Sequence, residues 1–314
     1  MKISAILCTA RADYPVTTAP DWHVLGGPLA CLEAQTFRDF EWIIVDLGHH
    51  HREAWLSTVA PSFPVRHVPI APNYWTAHGR RARAHSLNTG IAEARGELIA
   101  LFDDGWTFPP DWLERMWHWH ERGAAVASLY KTARAPGEPA VWNDGREQML
   151  LDGVCQGGGP GWPPTYGGLS VSAKAARAVG GYETLMDAGW GLEDIEFGRR
   201  LQSAGYPVVL DARVYIVAHP TGPLLGDVIH DDRNTLCCEN LLRWKIDRIG
   251  RGILRADEPM GDADRARFLP RCVYLQPDQS CGVYGPGHPC SQGEHVRHPD
   301  PTHPDVRRAL WGEP

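Results

Sequence analysis

Two adjacent carboxylates, Glu193 and Asp194, sit in the run Gly189-Trp190-Gly191-Leu192-Glu193-Asp194-Ile195-Glu196-Phe197-Gly198-Arg199-Arg200-Leu201. The glycines let the backbone turn around Trp190, and Phe197 and Leu201, four apart, share one face of a helix. That spacing leaves both acids in the first helical turn, facing whatever cleft the tryptophan borders. A helix N-terminus favours an ionised carboxylate by roughly 0.3–1 kcal/mol, so Asp194 suits proton abstraction near neutral pH. Acids at a helix start also serve simply to complement the dipole. A second acidic motif upstream favours chemistry over that plain explanation.

That motif is Leu98-Ile99-Ala100-Leu101-Phe102-Asp103-Asp104, followed by Pro109-Pro110-Asp111-Trp112-Leu113-Glu114. It reads as a buried strand, an acidic tip and a helix. Ligands of open α/β sheets collect beyond the carboxyl ends of the strands, where paired acids suit a divalent cation carrying a phosphate. Another apolar strand ends in Asp46, within Phe40-Glu41-Trp42-Ile43-Ile44-Val45-Asp46.

Taken with Ser4-Ala5-Ile6-Leu7-Cys8-Thr9 and Leu87-Asn88-Thr89-Gly90-Ile91-Ala92-Glu93-Ala94-Arg95-Gly96-Glu97, these segments over residues 3–220 resemble a family 2 glycosyltransferase of the GT-A fold. The 189–201 stretch is similar to the acceptor-site motif of β-galactosyltransferases and chondroitin-type polymerases. The resemblance implies an α/β fold with a mostly parallel central sheet flanked by helices. It also implies inverting transfer of a sugar from a nucleotide diphosphate donor, a uridine diphosphate sugar, with Mn2+ or Mg2+. Carried onto this sequence, it implies donor contacts from Thr9, Ala10, Arg11, Asp46, Arg83, Asp103 and Asp104. Asp194 takes the place of the base and Glu193 that of its acceptor-holding neighbour; Trp162, Trp190 and Gly191 join the acceptor side. The metal would be held by Asp103, Asp104 and His219, the last in Val217-Ala218-His219-Pro220; His230 beside Asp231 and Asp232 is a competing ligand. Two positions depart from the pattern: Gly105 stands where the family's second acid is expected, and Leu47-Gly48 follows Asp46.

With 314 residues the chain can bury a full α/β core without crosslinks. We read residues 1–232 as the catalytic domain, split into a nucleotide-sugar half (1–130) and an acceptor half (131–232), and 233–314 as a helical and loop-rich C-terminal extension. A net charge of −7 excludes a globally cationic nucleic-acid binder. The eight cysteines form no short-range framework in the first 230 residues, Met1-Lys2 runs straight into a strand without a leader, and no apolar run approaches the roughly 20 residues that span a bilayer. Together these point to a reducing cytoplasm and against membrane-embedded synthases.

Strand-like runs at 3–8, 41–45, 65–69, 97–102 and 124–129 alternate with helical patterns near 29–35, 51–58, 80–94 and 110–120. Residues 131–168, dense in Gly and Pro, read as a long loop that could close over the donor. A strand at 168–172 and a short helix capped by Gly180-Gly181 lead to the acceptor motif, and two short strands, 207–210 and 214–218, follow it. Thirteen tryptophans suit stacking on sugars or bases, with Trp75, Trp106, Trp162 and Trp190 beside turns or acids, whereas Trp112 and Trp117 share a core stripe with Leu113 and Met116.

The acceptor divides the functional readings. A saccharide is one; a hydroxymethylated base in phage-type DNA is the other, which would use the basic cluster Arg80, Arg81 and Arg83 and that of Arg243, Lys245, Arg248, Arg251 and Arg255. A binding module without catalysis is the reading from a different class. Cys272, Cys281, His288 and Cys290 offer ligands for a structural zinc ion, though at no standard spacing.

Overall fold

The computed structural model describes residues 1–10, 15–16, 19–23, 25–47, 53, 56–73, 76, 82–133, 140–142, 154–156, 168–188, 193–219 and 248. In chain order these form β1 (Ile3–Thr9), β2 (Pro15–Val16), β3 (Ala19–His23), α1 (Gly26–Glu33), β4 (Phe40–Asp46), β5 (Val65–Pro69), α2 (Arg83–Glu93), β6 (Leu98–Asp103), β7 (Trp106–Thr107) and α3 (Trp112–His120). There follow β8 (Ala125–Thr132), β9 (Val141–Trp142), β10 (Val154–Gln156), β11 (Leu169–Ser172), α4 (Ala173–Ala178), a 3-10 helix (Thr184–Ala188), α5 (Glu193–Ser203) and β12 (Val208–Ala218).

Among the described residues one sheet runs in the order β10-β12-β8-β11-β6-β1-β4-β5, with β7 on β12 and β9 on β8. Every residue of β1 and β4 is buried. Strands that read as unbroken apolar runs must be covered on both faces, and the two cores show how. On one face Leu87 and Ile91 of α2, Ala175 and Ala176 of α4, and Phe197 and Leu201 of α5 pack against Ile6, Ile43 and Leu101. On the other, Leu32 of α1 and Trp112, Leu113 and Met116 of α3 pack against Leu7, Ile44 and Phe102. The core stripe expected on the 112–117 helix is present, with Trp117 on its margin.

The sheet is mostly parallel, as expected: β1, β4, β5 and β6 run together. The short strands β7, β9 and β10 pair antiparallel at its margin, and β11 is inserted antiparallel between β6 and β8, so β8 and its parallel neighbour β12 regain the direction of β6. The ends of β1, β4, β6 and β12 therefore meet along one edge. Three readings need correction. The 131–168 segment contains strands β9 and β10 on the sheet, so it is not loop throughout. The two short strands expected at 207–218 are one, β12, because both parts pair with β8 across a register shift between Leu210 and Tyr215. Trp106 does not stack on a ligand; it is 6% exposed and packs edge-on against Tyr130, 5.1 Å between ring centroids.

Helix α5 is anchored by a buried ion pair. Arg200 bonds Glu196 one turn earlier at 2.6 Å through both Nε and Nη2, and its guanidinium donates to the carbonyls of Val179 and Gly181 beyond α4. Both side chains are fully buried. Breaking one partner of such a pair strands a charge and costs about 3–5 kcal/mol, whereas an apolar pair of similar volume is tolerated. Glu196→Leu alone should therefore lower the urea midpoint markedly, and Glu196→Leu with Arg200→Met should recover most of it.

Candidate active site

The edge formed by the ends of β1, β4 and β6 carries the acids singled out from sequence. Thr9 lies opposite Asp46 on β4, and Cys8 opposite Asp103 on β6. Strand order reverses around β1, whose two neighbours lead in opposite directions through the chain, and such a switch point is where open α/β sheets bind ligands.

Asp103 and Asp104 point to different partners. Asp103 forms an ion pair with Arg83, the first residue of α2. Asp104, 7% exposed, accepts the Thr9 hydroxyl at 2.6 Å. Gly105 follows with φ +69°, a left-handed turn that glycine adopts without steric cost. That turn sends Trp106 back into β7 against Ala218, and the Gly105 carbonyl accepts the His219 amide at 3.1 Å. His219 reaches the same corner; its Nε2 lies 2.8 Å from the Thr107 hydroxyl, and burial lowers its pKa, which keeps the imidazole in the neutral form that ligates metals.

Arg83 joins this strand end to α5. Its Nε lies 3.7 Å from Glu193 Oε1. Burial opposes its charge, yet Asp103, then Cys8 and Glu193, hold its pKa well above the usual arginine value. Glu193 is pushed up to about 7 by burial and by the neighbouring Asp194, with Arg83 pulling the other way. Asp194 accepts from the Ile195 amide at 2.8 Å, and its charge reaches Tyr130 and Tyr182 as well as Glu193. Burial raises both tyrosines well above their usual range, so they are neutral phenols. Burial likewise raises Cys8 to about 12, which makes it a neutral thiol and no nucleophile.

Asp46 is sited differently from a freely offered ligand. Its carboxylate is wholly covered and lies 2.9 Å from His67 Nε2 on β5. Ala10 closes β1 at the site's edge. Arg11, Trp162, Trp190 and Gly191 lie outside the described residues, as do Trp75, His230, most of the two basic clusters and the zinc candidates Cys272, Cys281, His288 and Cys290. Sequence reasoning missed His67, Tyr130, Tyr182 and Asp187. The first three belong to ordinary strand or core patterns, and Asp187 precedes the acceptor motif without a spacing that marks it.

Among the described residues no group of three or more His, Cys, Asp or Glu side chains converges as a cation cage. Two strand-end carboxylates still fit Mg2+ or Mn2+ as donors, because such cations take most of their oxygens from water and substrate phosphate. No described helix is long and apolar enough to cross a membrane.

Solved structures with a similar fold are GT-A glycosyltransferases. The S. aureus TarS 1–349 structure in complex with UDP-GlcNAc aligns with a TM-score of 0.56 at 14% identity, covering 87% of this chain and 72% of that one. The Pyrobaculum calidifontis mannosyltransferase PcManGT in complex with GDP-Man and Mn2+ aligns at 0.53 and 16%, covering 85% and 68%. The chain spans 65% of another TarS 1–349 structure and 45% of a longer TarS structure. No curated protein sequence matches it. Residues 21–159 match the family model for glycosyl transferase family 2. That match spans less than half of the chain, and the structural similarity is one of fold, that of the GT-A type.

The raised Glu193 has a thermodynamic consequence. A folded state that holds a proton between pH 4.5 and about 7, where the unfolded chain has lost it, loses stability as pH rises across that window. Chemical denaturation of Glu193→Gln, which cannot titrate there, should show a flatter pH dependence than the parent over the same interval.

Proposed function

We propose that the protein is an inverting glycosyltransferase that moves a sugar from a nucleotide diphosphate donor, a UDP-sugar, to an acceptor hydroxyl with the help of a divalent cation. The observation that carries this reading is Arg83, whose guanidinium touches Asp103 at the donor-side strand end and approaches Glu193 in the first turn of α5. Donor and acceptor chemistry would then meet within one side chain's reach.

In this mechanism Arg83 neutralises charge developing on the departing diphosphate. Asp103 and Asp104, with His219 at the same corner, would hold the cation, which supplies Lewis-acid stabilisation of that leaving group. Thr9 fixes the Asp104 carboxylate. Asp46 and His67 border the nucleoside side of the edge. Asp194 removes the acceptor proton as the hydroxyl attacks the anomeric carbon, while Glu193 orients the acceptor. One direct displacement inverts that centre. The family 2 match and the nucleotide sugars bound by the structural neighbours support this donor class.

The test is a panel of UDP- and GDP-sugars with saccharide acceptors, followed by released nucleoside diphosphate, with Mn2+ and with EDTA. No release from any donor would overturn the proposal. Asp194→Asn preserves shape but removes the base, so kcat should fall by roughly 10²–10⁴ with donor Kd unchanged. A near-parental rate would move the base to Glu193. Asp103→Ala should weaken donor binding measured by calorimetry in the presence of Mn2+, and unchanged binding would remove Asp103 from the donor site.

A further inference from the structure

Arg83 can meet both Asp103 and Glu193 only if the start of α2 is held in one place, yet α2 has no capping side chain of its own. Ala82 occupies the N-cap position and makes no side-chain cap bond. The cap comes instead from Asp187, about a hundred residues later, in the 3-10 helix that leads into the acceptor motif. Its Oδ1 accepts the Ala84 amide at 2.6 Å, and its Oδ2 accepts the His85 amide at 3.1 Å and lies 2.6 Å from His85 Nδ1. Burial raises the Asp187 pKa, while the His85 ring and the two amides pull it down; as a carboxylate it accepts from all three. The Asp187 side chain is 1% exposed.

A second tie runs in parallel one turn along. Asn88 accepts the Tyr182 amide at 2.7 Å and donates to the Tyr182 carbonyl at 2.9 Å. It fits there because Gly181, at φ +73°, has no Cβ; one would stand 2.4 Å from Asn88 Oδ1. The segment immediately before the acceptor acids is therefore bonded to the helix that carries the donor-side arginine.

We propose that Asp187 is a positioning residue for the donor site: by capping α2 from the acceptor segment it sets the guanidinium of Arg83, and so couples acceptor-side structure to binding of the donor diphosphate. This rests on the reading of Arg83 as a diphosphate-binding group. Asp187→Asn keeps one acceptor oxygen for the Ala84 amide but turns an NH2 group toward the two donors of His85, so two of the three bonds are lost.

The test measures Kd for UDP and for GDP, each with Mn2+, by calorimetry on the full chain, together with Tm, for the parent, Asp187→Asn, Arg83→Met and the double variant. Asp187→Asn should weaken binding of the preferred nucleotide by about tenfold, the scale of a lost cap, and should add little once Arg83 is Met. A lower Tm with unchanged Kd, or an equal further loss in the Arg83→Met background, would make Asp187 a purely structural cap and overturn the proposal. Should Asp187→Asn fail to fold, His85→Ala removes one of the three bonds and should weaken binding a few-fold only when Arg83 is present; no such effect is equally decisive against it. If Arg83→Met binds nucleotide as the parent does, or the parent binds neither, the donor reading itself fails and the clamp falls with it.

Discussion

A single guanidinium organises the site edge. Arg83 stands between Asp103 and Glu193, and without it the end of β6 and the first turn of α5 would bring like charges together in a partly desolvated cleft. Charges in such a setting are tolerated when countercharge is built in, and α2 supplies it from its first residue. The balance is incomplete: Arg83 lowers the pKa of Glu193, but burial and Asp194 outweigh it and leave that group near 7. One carboxyl thus lies poised near neutrality beside a second, with an arginine within reach of the first.

Holding that arrangement falls to groups away from the cleft. Arg200 and Glu196 bind the body of α5 to the carbonyls that follow α4. Asp187 and Asn88 bind α2 to the neighbouring segment. Helix α2, the segment after α4 and α5 are thus joined by buried, charge-assisted or paired hydrogen bonds, whose geometry is more exacting than apolar packing alone. The apolar stripes on α2, α4 and α5 fasten these elements to one face of the sheet; the polar ties fix where their ends lie.

Topology supplies the other half of the arrangement. Because β11 runs against its neighbours, β8 and β12 re-enter the sheet parallel to β6, and the end of β12 arrives beside the Asp103-Asp104-Gly105 turn. The left-handed glycine and the two-residue strand β7 hold that corner. The residue that breaks the family's acidic pattern therefore has a definite backbone role, and the neutral His219 imidazole is brought to the site by the same turn.

The sequence by itself determined the central strands, the helices packed on them and the acidic positions. Unbroken apolar runs of strand length ending in Asp46 and Asp103, and the Phe197–Leu201 spacing behind Glu193 and Asp194, are local patterns whose periods report local structure. It also favoured a mostly parallel sheet, through the alternation of strand and helix. Only the tertiary structure decided which partners those acids take: Asp46 turns to His67, Asp104 to Thr9, and Asp103 to Arg83. The antiparallel insertion of β11, the joining of 208–218 into one strand and the burial of Trp106 were likewise decided there. So was the cap that Asp187 places on α2. Each of these depends on which residues far apart in the chain become neighbours, and hydrophobic period carries no record of that; it specifies a face to be buried, not the group that will meet a given carboxylate across it.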